Sequence, residues 1–471
     1  MREIGSVCAA IRKMGHGAGH GCRDYNPRPA CFATAHAVRA TPPGFAAIDF
    51  GTSNSAIALP EGERGVRLVE LEPGYPTMPT AVFYRADGTN AHAEPERLYG
   101  RAAVAAYVDG IDGRLMRSMK SILGSDLVTQ STDVGGGRGV RYVDIIAGYL
   151  RHLKRMAEAA AGAPLQRVVL GRPVFFVDGE PERDAQAQAA LEAAAHQVGF
   201  KDVRFQYEPI AAALDHESTV DHEQLVLVAD IGGGTSDFSL VRVGPERRGR
   251  PDRRDDILAN HGVHIAGTDF DRHVELSAIL PLLGYRSYGP PQNGQPGREV
   301  PSSVYFDLAT WHLINTVYVP SRVAELRRMK AWYADPVQHS RLMTVLDDRL
   351  GHALAAAGEK AKIDVATTGD ARIDLDLVEA ALAADLSEAQ AAAAIEADLA
   401  RIVNAAHETA RMAGIASDAV EVLYFTGGST GLTPLVDRIA AGFPRAKRVR
   451  GDRFASVAQG LGLHARAVYG A

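Results

Sequence analysis

Cysteine is scarce in this chain: three residues, Cys8, Cys22 and Cys31, all within the first 44 positions. The body that follows has none, so no disulfide can hold it, and a reducing, cytoplasmic setting is expected. Long apolar runs are also missing. No stretch approaches the roughly eighteen residues that a spanning helix needs, so no membrane association is expected. An excess of positive charge is absent too, since the formal net charge is −6, which argues against nonspecific nucleic-acid binding. The first 44 residues go the other way, with six Lys/Arg against two Asp/Glu. They lack the apolar core of a secretory signal, and their Cys and His residues (His16, His20 and His36 among them) lack the paired Cys-x-x-Cys of a zinc site. A disordered leader over 1–44 is the expectation. What remains, in a chain 46% apolar and 23% charged, has ordinary globular composition and room for two or more domains.

One pattern occurs twice in that body. Ala46-Ala47-Ile48-Asp49-Phe50-Gly51-Thr52-Ser53-Asn54-Ser55 and Val226-Leu227-Val228-Ala229-Asp230-Ile231-Gly232-Gly233-Gly234-Thr235-Ser236-Asp237 each read as an apolar strand, an Asp-x-Gly turn with small hydroxyl residues, and a second strand. A hairpin turned on Gly, Ser and Thr offers backbone N–H groups and hydroxyls to an anion without side-chain bulk. The Asp closing each first strand is suited to hold a hydrated cation beside that anion. Two copies suggest two similar domains gripping one polyphosphate, an ATP site.

Periodicity supports an α/β organisation. Ile146, Leu150, Leu153 and Ala157 recur at helical spacing within 143–161, Val168–Val174 reads as a strand ended by proline, and 182–198 reads as an Ala-rich helix. A strand near Val203–Phe205 leads to Glu208-Pro209, which opens another helix. Beyond the second hairpin, Gly244–Asp256 reads as a charged, solvent-exposed loop. A long insertion follows over about 268–366, and its Trp311 and Trp332 are expected to pack in the core. Ser387-x-x-Gln390 is a capping box opening one long helix, along which Ile395, Leu399, Ile402, Ala406 and Ala410 recur at helical spacing; a strand over Val420–Phe425 runs into Thr426-Gly427-Gly428-Ser429-Thr430, and the last helix covers about 456–468.

These motifs resemble the ATPase domain shared by actin, sugar kinases and heat-shock-70 chaperones, over roughly residues 45–466. The chaperone branch fits best: the two hairpins resemble its phosphate motifs, Glu208-Pro209-Ile210-Ala211-Ala212-Ala213 its interdomain helix motif, Ala266-Gly267-Thr268-Asp269-Phe270-Asp271 a segment near the γ-phosphate, and Gly427-Gly428-Ser429-Thr430 its adenosine motif. The segment Asp307–Asn315 resembles the YegD-like bacterial branch. The resemblance implies an actin-like ATPase fold: two similar lobes, each a mixed sheet of ribonuclease-H-like topology with flanking helices, around a central nucleotide cleft. Lobe I would cover 45–220 and lobe II 221–471, with no room left for a peptide-binding domain.

The resemblance also implies roles. Asp49 and Asp230 would orient Mg²⁺ through its water shell. Lys120, Glu208, Asp230 and Thr235 would be catalytic: Lys120 as the phosphate-contacting lysine, Glu208 ordering the attacking water, Thr235 beside the γ-phosphate with Asp237 close by. Gly51, Thr52, Ser53 and Asn54 would face Gly232, Gly233, Gly234 and Thr235 across the β- and γ-phosphates of ATP or ADP. Gly267, Thr268, Glu359, Lys362, Gly427, Gly428, Ser429 and Asp452 would complete the nucleotide set. Pro173 and Arg183 match residues used for interdomain communication. The adenine end departs from the family: Ile363 and Gly431 stand where arginines are expected, Ala366 where a serine is, and Thr268 replaces a carboxylate.

The expected function is an ATP-binding, slowly hydrolysing, chaperone-like switch, a monomer with an unfolded-protein client or co-chaperone as partner. A sugar kinase of the same fold, an actin-like polymer and a non-hydrolysing nucleotide-gated module are the alternatives.

Overall fold

The computed structural model describes residues 44–470 apart from 63–64, 87–95, 135–137, 178, 251, 292–293, 296 and 453–454. The leader, with its three cysteines and the zinc question, and the Asp87-Gly88 turn lie outside the described residues.

The duplicated motif is reflected in two sheets with one strand order. In the first, the hairpin strands Phe45–Phe50 and Asn54–Glu61 are antiparallel and Gly65–Leu68 extends them on one side. On the other side Arg167–Arg172 and then Asp202–Tyr207 run parallel to Phe45–Phe50. In the second, Gln224–Ile231 and Ser236–Val243 form the hairpin, Ile257–Val263 extends it, and Val422–Thr426 and Lys447–Arg450 are parallel to its first strand. Numbered from the hairpin within each half, both sheets read 3-2-1-4-5. The central parallel strands, Arg167–Arg172 and Val422–Thr426, carry continuous apolar runs such as Val168-Val169-Leu170, because both of their faces are covered. Tyr142–Ala161 and Pro181–Gln197 cover one face of the first sheet, where Ile146, Leu150 and Leu191 join Ile48 and Phe50 in the core. Glu396–Met412 and Thr433–Ala441 do the same on the second, with Leu399, Ile402 and Leu435 against Leu227 and Phe425.

Two helices join the sheets. Glu208–Thr219 starts at the end of the first sheet and packs on the second, while Ser456–Tyr469 returns to lie against the first. Ala211, Ala212, Leu461 and Ala465 share one apolar layer with Phe45 and Val169 of the first sheet and Val226 and Val422 of the second.

Three features depart from the sequence reading. The Gly244–Asp256 segment is not simply solvated: Arg253 is 2% exposed and paired with Glu217 and Asp256, both equally buried. Glu217 lies on the joining helix, so the charged run is pulled under it by partners distant in sequence. Neither tryptophan is in the core. Trp332 is 47% exposed, and Trp311 stacks on Tyr107 at 5.0 Å, bringing the insertion against the helix Gly100–Val108. The capping box at Ser387 forms as expected, but its helix stops at Ala394 and a new one begins at Glu396. No described helix is long and apolar enough to cross a membrane.

Candidate functional site

The two glycine-rich turns face each other. Each covers four residues, 51–54 and 232–235, closed by the pairs Phe50–Ser55 and Ile231–Ser236. A Cβ placed on Gly233 would lie 2.8 Å from Ser53 Oγ, so the turns converge from opposite sheets. The first turn is pinned by Thr80, whose hydroxyl donates to Gly51 O at 2.8 Å and whose N–H donates to Ser53 O at 2.9 Å. The second is closed by Gly232 N–H donating to Thr235 O at 3.0 Å. Neighbouring segments brace it: Ser429 Oγ donates to Gly232 O at 2.8 Å, and the N–H and hydroxyl of Thr268 both donate to Gly233 O at 2.8 Å. Gly267, Thr268 and Ser429 are thereby placed around Gly232–Gly234. Gly427 sits at φ +87°, and a Cβ there would meet Ile231 O at 2.4 Å and Asp230 Oδ1 at 2.8 Å, so no other residue fits this turn without strain.

Four carboxylates and one ammonium lie beneath the turns. Lys120 is 7% exposed and forms an ion pair with Glu208, the first residue of the joining helix. Burial, then the charges of Glu208 and Asp230, push Asp49 up to about 8, against the opposing pull of Lys120. Asp230 is pushed up to about 7 by burial and by Asp237 and Glu208. Asp237 is raised too, chiefly by burial, with a hydrogen bond from Thr235 acting the other way. Burial works against the Lys120 charge, but Glu208, Asp49 and Asp230 outweigh it and its pKa rises. The cluster is therefore short of positive charge.

Lys120 owes its position to an unusual bend. The strand Gly113–Arg117 ends at Ser118, a non-glycine residue at φ 53°, and a 3₁₀ turn over Met119–Ile122 then buries the lysine. Arg183 donates to Gly124 O at 2.9 Å, tying the end of this segment to the helix Pro181–Gln197.

The residues expected at the far end are dispersed. Glu359 and Lys362 lie on the helix Gly351–Thr368; Lys362 pairs with Asp271 at 2.6 Å and reaches Gly267 O at 3.3 Å, while Glu359 is exposed. Ile363, one turn on from Glu359, is 54% exposed. Asp452 receives the Ala455 N–H at 2.9 Å and so helps start the Ser456–Tyr469 helix. The sequence reading missed Asp271, the partner of Lys362, and missed Arg117. The latter's guanidinium lies 4.4 Å over the Trp311 ring, and its only sequence signal was a place three residues before Lys120.

Residues 45–276 match the family model described as Hsp70 protein. This segment is similar to that family. A curated relative, the chaperone protein DnaK of Thermosipho melanesiensis, is 32% identical over 229 residues, covering 48% of this chain and 34% of the relative. The chain thus matches about a third of that relative's length. The two sheets of one topology, with hairpin turns converging, are the actin-like ATPase fold that an Hsp70 segment implies. Both turns, Lys120, Glu208 and Gly267–Asp271 lie inside the matched segment; Glu359, Lys362, Gly427–Ser429 and Asp452 lie beyond it.

Proposed function

We propose that this protein binds ATP with Mg²⁺ between its two glycine-rich turns and hydrolyses it slowly, as the nucleotide switch of a chaperone-like protein of the YegD-like kind. The convergence of Ser53 and Gly233 above the Asp49–Lys120–Glu208–Asp230 cluster carries this reading. Backbone N–H groups and hydroxyls of Gly51–Asn54 and Gly232–Thr235 would cradle the β- and γ-phosphates from two sides. Mg²⁺, when bound, neutralises charge on the β- and γ-phosphoryl oxygens. Asp49 and Asp230 would accept hydrogen bonds from its water shell, which would restore both to their ionised form.

Lys120, fixed by Glu208, would donate to a phosphate oxygen, and Glu208 would in turn orient the attacking water. Water oxygen bonds to the γ-phosphorus, the bond to the β–γ bridging oxygen breaks, and ADP and inorganic phosphate leave. Thr235, held near Asp237, would donate to a γ-phosphate oxygen. Because Glu208 heads the helix that joins the sheets, a change in the bound phosphate would be felt where the halves meet, and a client or co-chaperone would read that motion.

Calorimetric titration with ATP and ADP in the presence of Mg²⁺, followed by single-turnover hydrolysis, tests the proposal. Binding with slow turnover, weakened in Asp230→Asn and Thr235→Ala and indifferent to sugars, is expected. No binding at millimolar ATP would overturn it, and turnover stimulated by one sugar would replace the switch with a kinase.

A further inference from the structure

A turn that holds an anion must show it N–H groups and keep its carbonyl oxygens turned away, since each carbonyl carries partial negative charge. In a trans peptide the carbonyl of one residue and the N–H of the next point in opposite directions, so a donor that fixes the first also aims the second. A run such as Gly232-Gly233-Gly234 needs such donors, because glycine lets a peptide plane swing at little cost. Both turns have them. Thr80 Oγ1 donates to Gly51 O at 2.8 Å, which sends the Thr52 N–H the other way, and the Thr80 N–H holds Ser53 O at 2.9 Å. In the second turn Ser429 Oγ and the Gly267 N–H hold Gly232 O at 2.8 and 3.2 Å, which aims the Gly233 N–H. The N–H and hydroxyl of Thr268 both donate to Gly233 O at 2.8 Å and so aim the Gly234 N–H. Among the described residues, the N–H groups of Thr52, Gly233 and Gly234 donate to no protein acceptor.

The device is repeated in both halves. Ser55 and Ser236 begin the second strand of their hairpins, opposite Phe50 and Ile231, and both are buried. Thr80 Oγ1 uses its proton on Gly51 O, so across their 2.8 Å contact it is Ser55 Oγ that donates to Thr80. Ser236 Oγ donates to Ile265 O at 2.7 Å, three residues before Thr268. Each hairpin thus holds the segment that braces its own turn. We propose that Thr80, Thr268 and Ser429 are positioning residues: they hold the turn carbonyls back and so set the N–H groups of Thr52, Gly233 and Gly234 for phosphate. This rests on the ATP reading above and deepens it. Thr268 and Ser429 act through the turn and not by direct contact, because their hydroxyl protons are already engaged by Gly233 O and Gly232 O. The preference they create is for the polyphosphate, whatever base it carries.

Calorimetric affinities for ATP and inorganic tripolyphosphate, each with Mg²⁺, measured on the wild-type chain and on Thr268→Val and Thr268→Ser, test this. Valine keeps the shape of threonine and removes the donor, whereas serine keeps the donor. Thr268 is exposed, so the urea midpoint should stay unchanged in both variants. Thr268→Val should bind both ligands about five-fold more weakly, and Thr268→Ser should recover most of that loss. Thr80→Val, which frees Gly51 O in the other turn, should weaken both by about ten-fold, with Thr80→Ser again restoring them. A wild-type chain that binds neither ligand overturns the ATP reading and this inference with it. If it binds ATP, that reading stands, and the positioning role falls when tripolyphosphate is not held, when Thr268→Val binds both ligands as the wild type does, or when serine fails to rescue.

Discussion

One of the closest backbone approaches among the described residues is where the two joining helices cross, and Gly460→Ala tests it. A Cβ on Gly460 would lie 1.8 Å from the carbonyl oxygen of Ala211 and 2.5 Å from its carbon. Non-bonded contacts settle near 3.5 Å, so the helices would have to part by roughly 1.5 Å. The atom in the way is backbone and cannot rotate aside. Forced overpacking of this kind costs about 1–3 kcal/mol, and we expect the upper part of that range because the crossing is buried on both sides. The effect should reach the site, since Ala211 lies one turn from Glu208, which holds Lys120. Urea unfolding should show the loss of stability, and ATP titration of the folded variant a weaker affinity. Gly462→Ala is the internal comparison: its Cβ would stand 3.0 Å from the Ala58 side chain, a contact that a slight shift relieves. A Gly460→Ala chain that unfolds within about 0.5 kcal/mol of the parent would refute the argument, because no rotamer change can accommodate the added methyl.

Two further outcomes follow from the polar layer under that crossing. Arg253→Ala strands Glu217, whose side chain is 1% exposed, and weakens the hold on Asp256; breaking a buried pair from one side costs about 3–5 kcal/mol, and a change in urea stability below about 1 kcal/mol would show the network to be dispensable. His464, 7% exposed and bonded to Gln206 at 3.0 Å, is held down to about 4 from the usual 6.5 by burial and then by Arg253. It therefore folds neutral: its contribution is whole above pH 6.5 and is lost as pH falls toward 4, about 3 kcal/mol in all. His464→Gln should flatten that part of the stability profile, and parallel profiles for parent and variant would rule the histidine out.

The parts of this molecule that could be read from the sequence are those whose determinants lie close together along the chain. Each glycine-rich turn is specified within about a dozen residues, because strand, Asp-x-Gly and second strand have one compact solution. Glu208-Pro209 signals a helix start by the same local logic, and it begins where expected. Apolar periodicity located Tyr142–Ala161, and alanine-rich composition located Pro181–Gln197, to within a residue or two at each end.

What escaped depends on partners far away in sequence, and it is where the halves are tied together. The run from Gly244 to Asp256 has the composition of a solvated loop, and nothing within it tells that Glu217, 36 residues before Arg253, waits under the helix to accept it. Tyr107, Trp311 and His352 carry no shared motif, yet they meet because the insertion folds back over the Gly100–Val108 helix. The last helix reads as part of the second half and packs against the first. A local pattern specifies a turn that can hold a phosphate, but it does not specify how two such turns are brought to face each other. In this chain that task falls to Gly460 against Ala211, to Arg253 against Glu217, and to Trp311 against Tyr107, none of them adjacent in sequence. Substitutions at these contacts should therefore impair the site while leaving every phosphate motif intact.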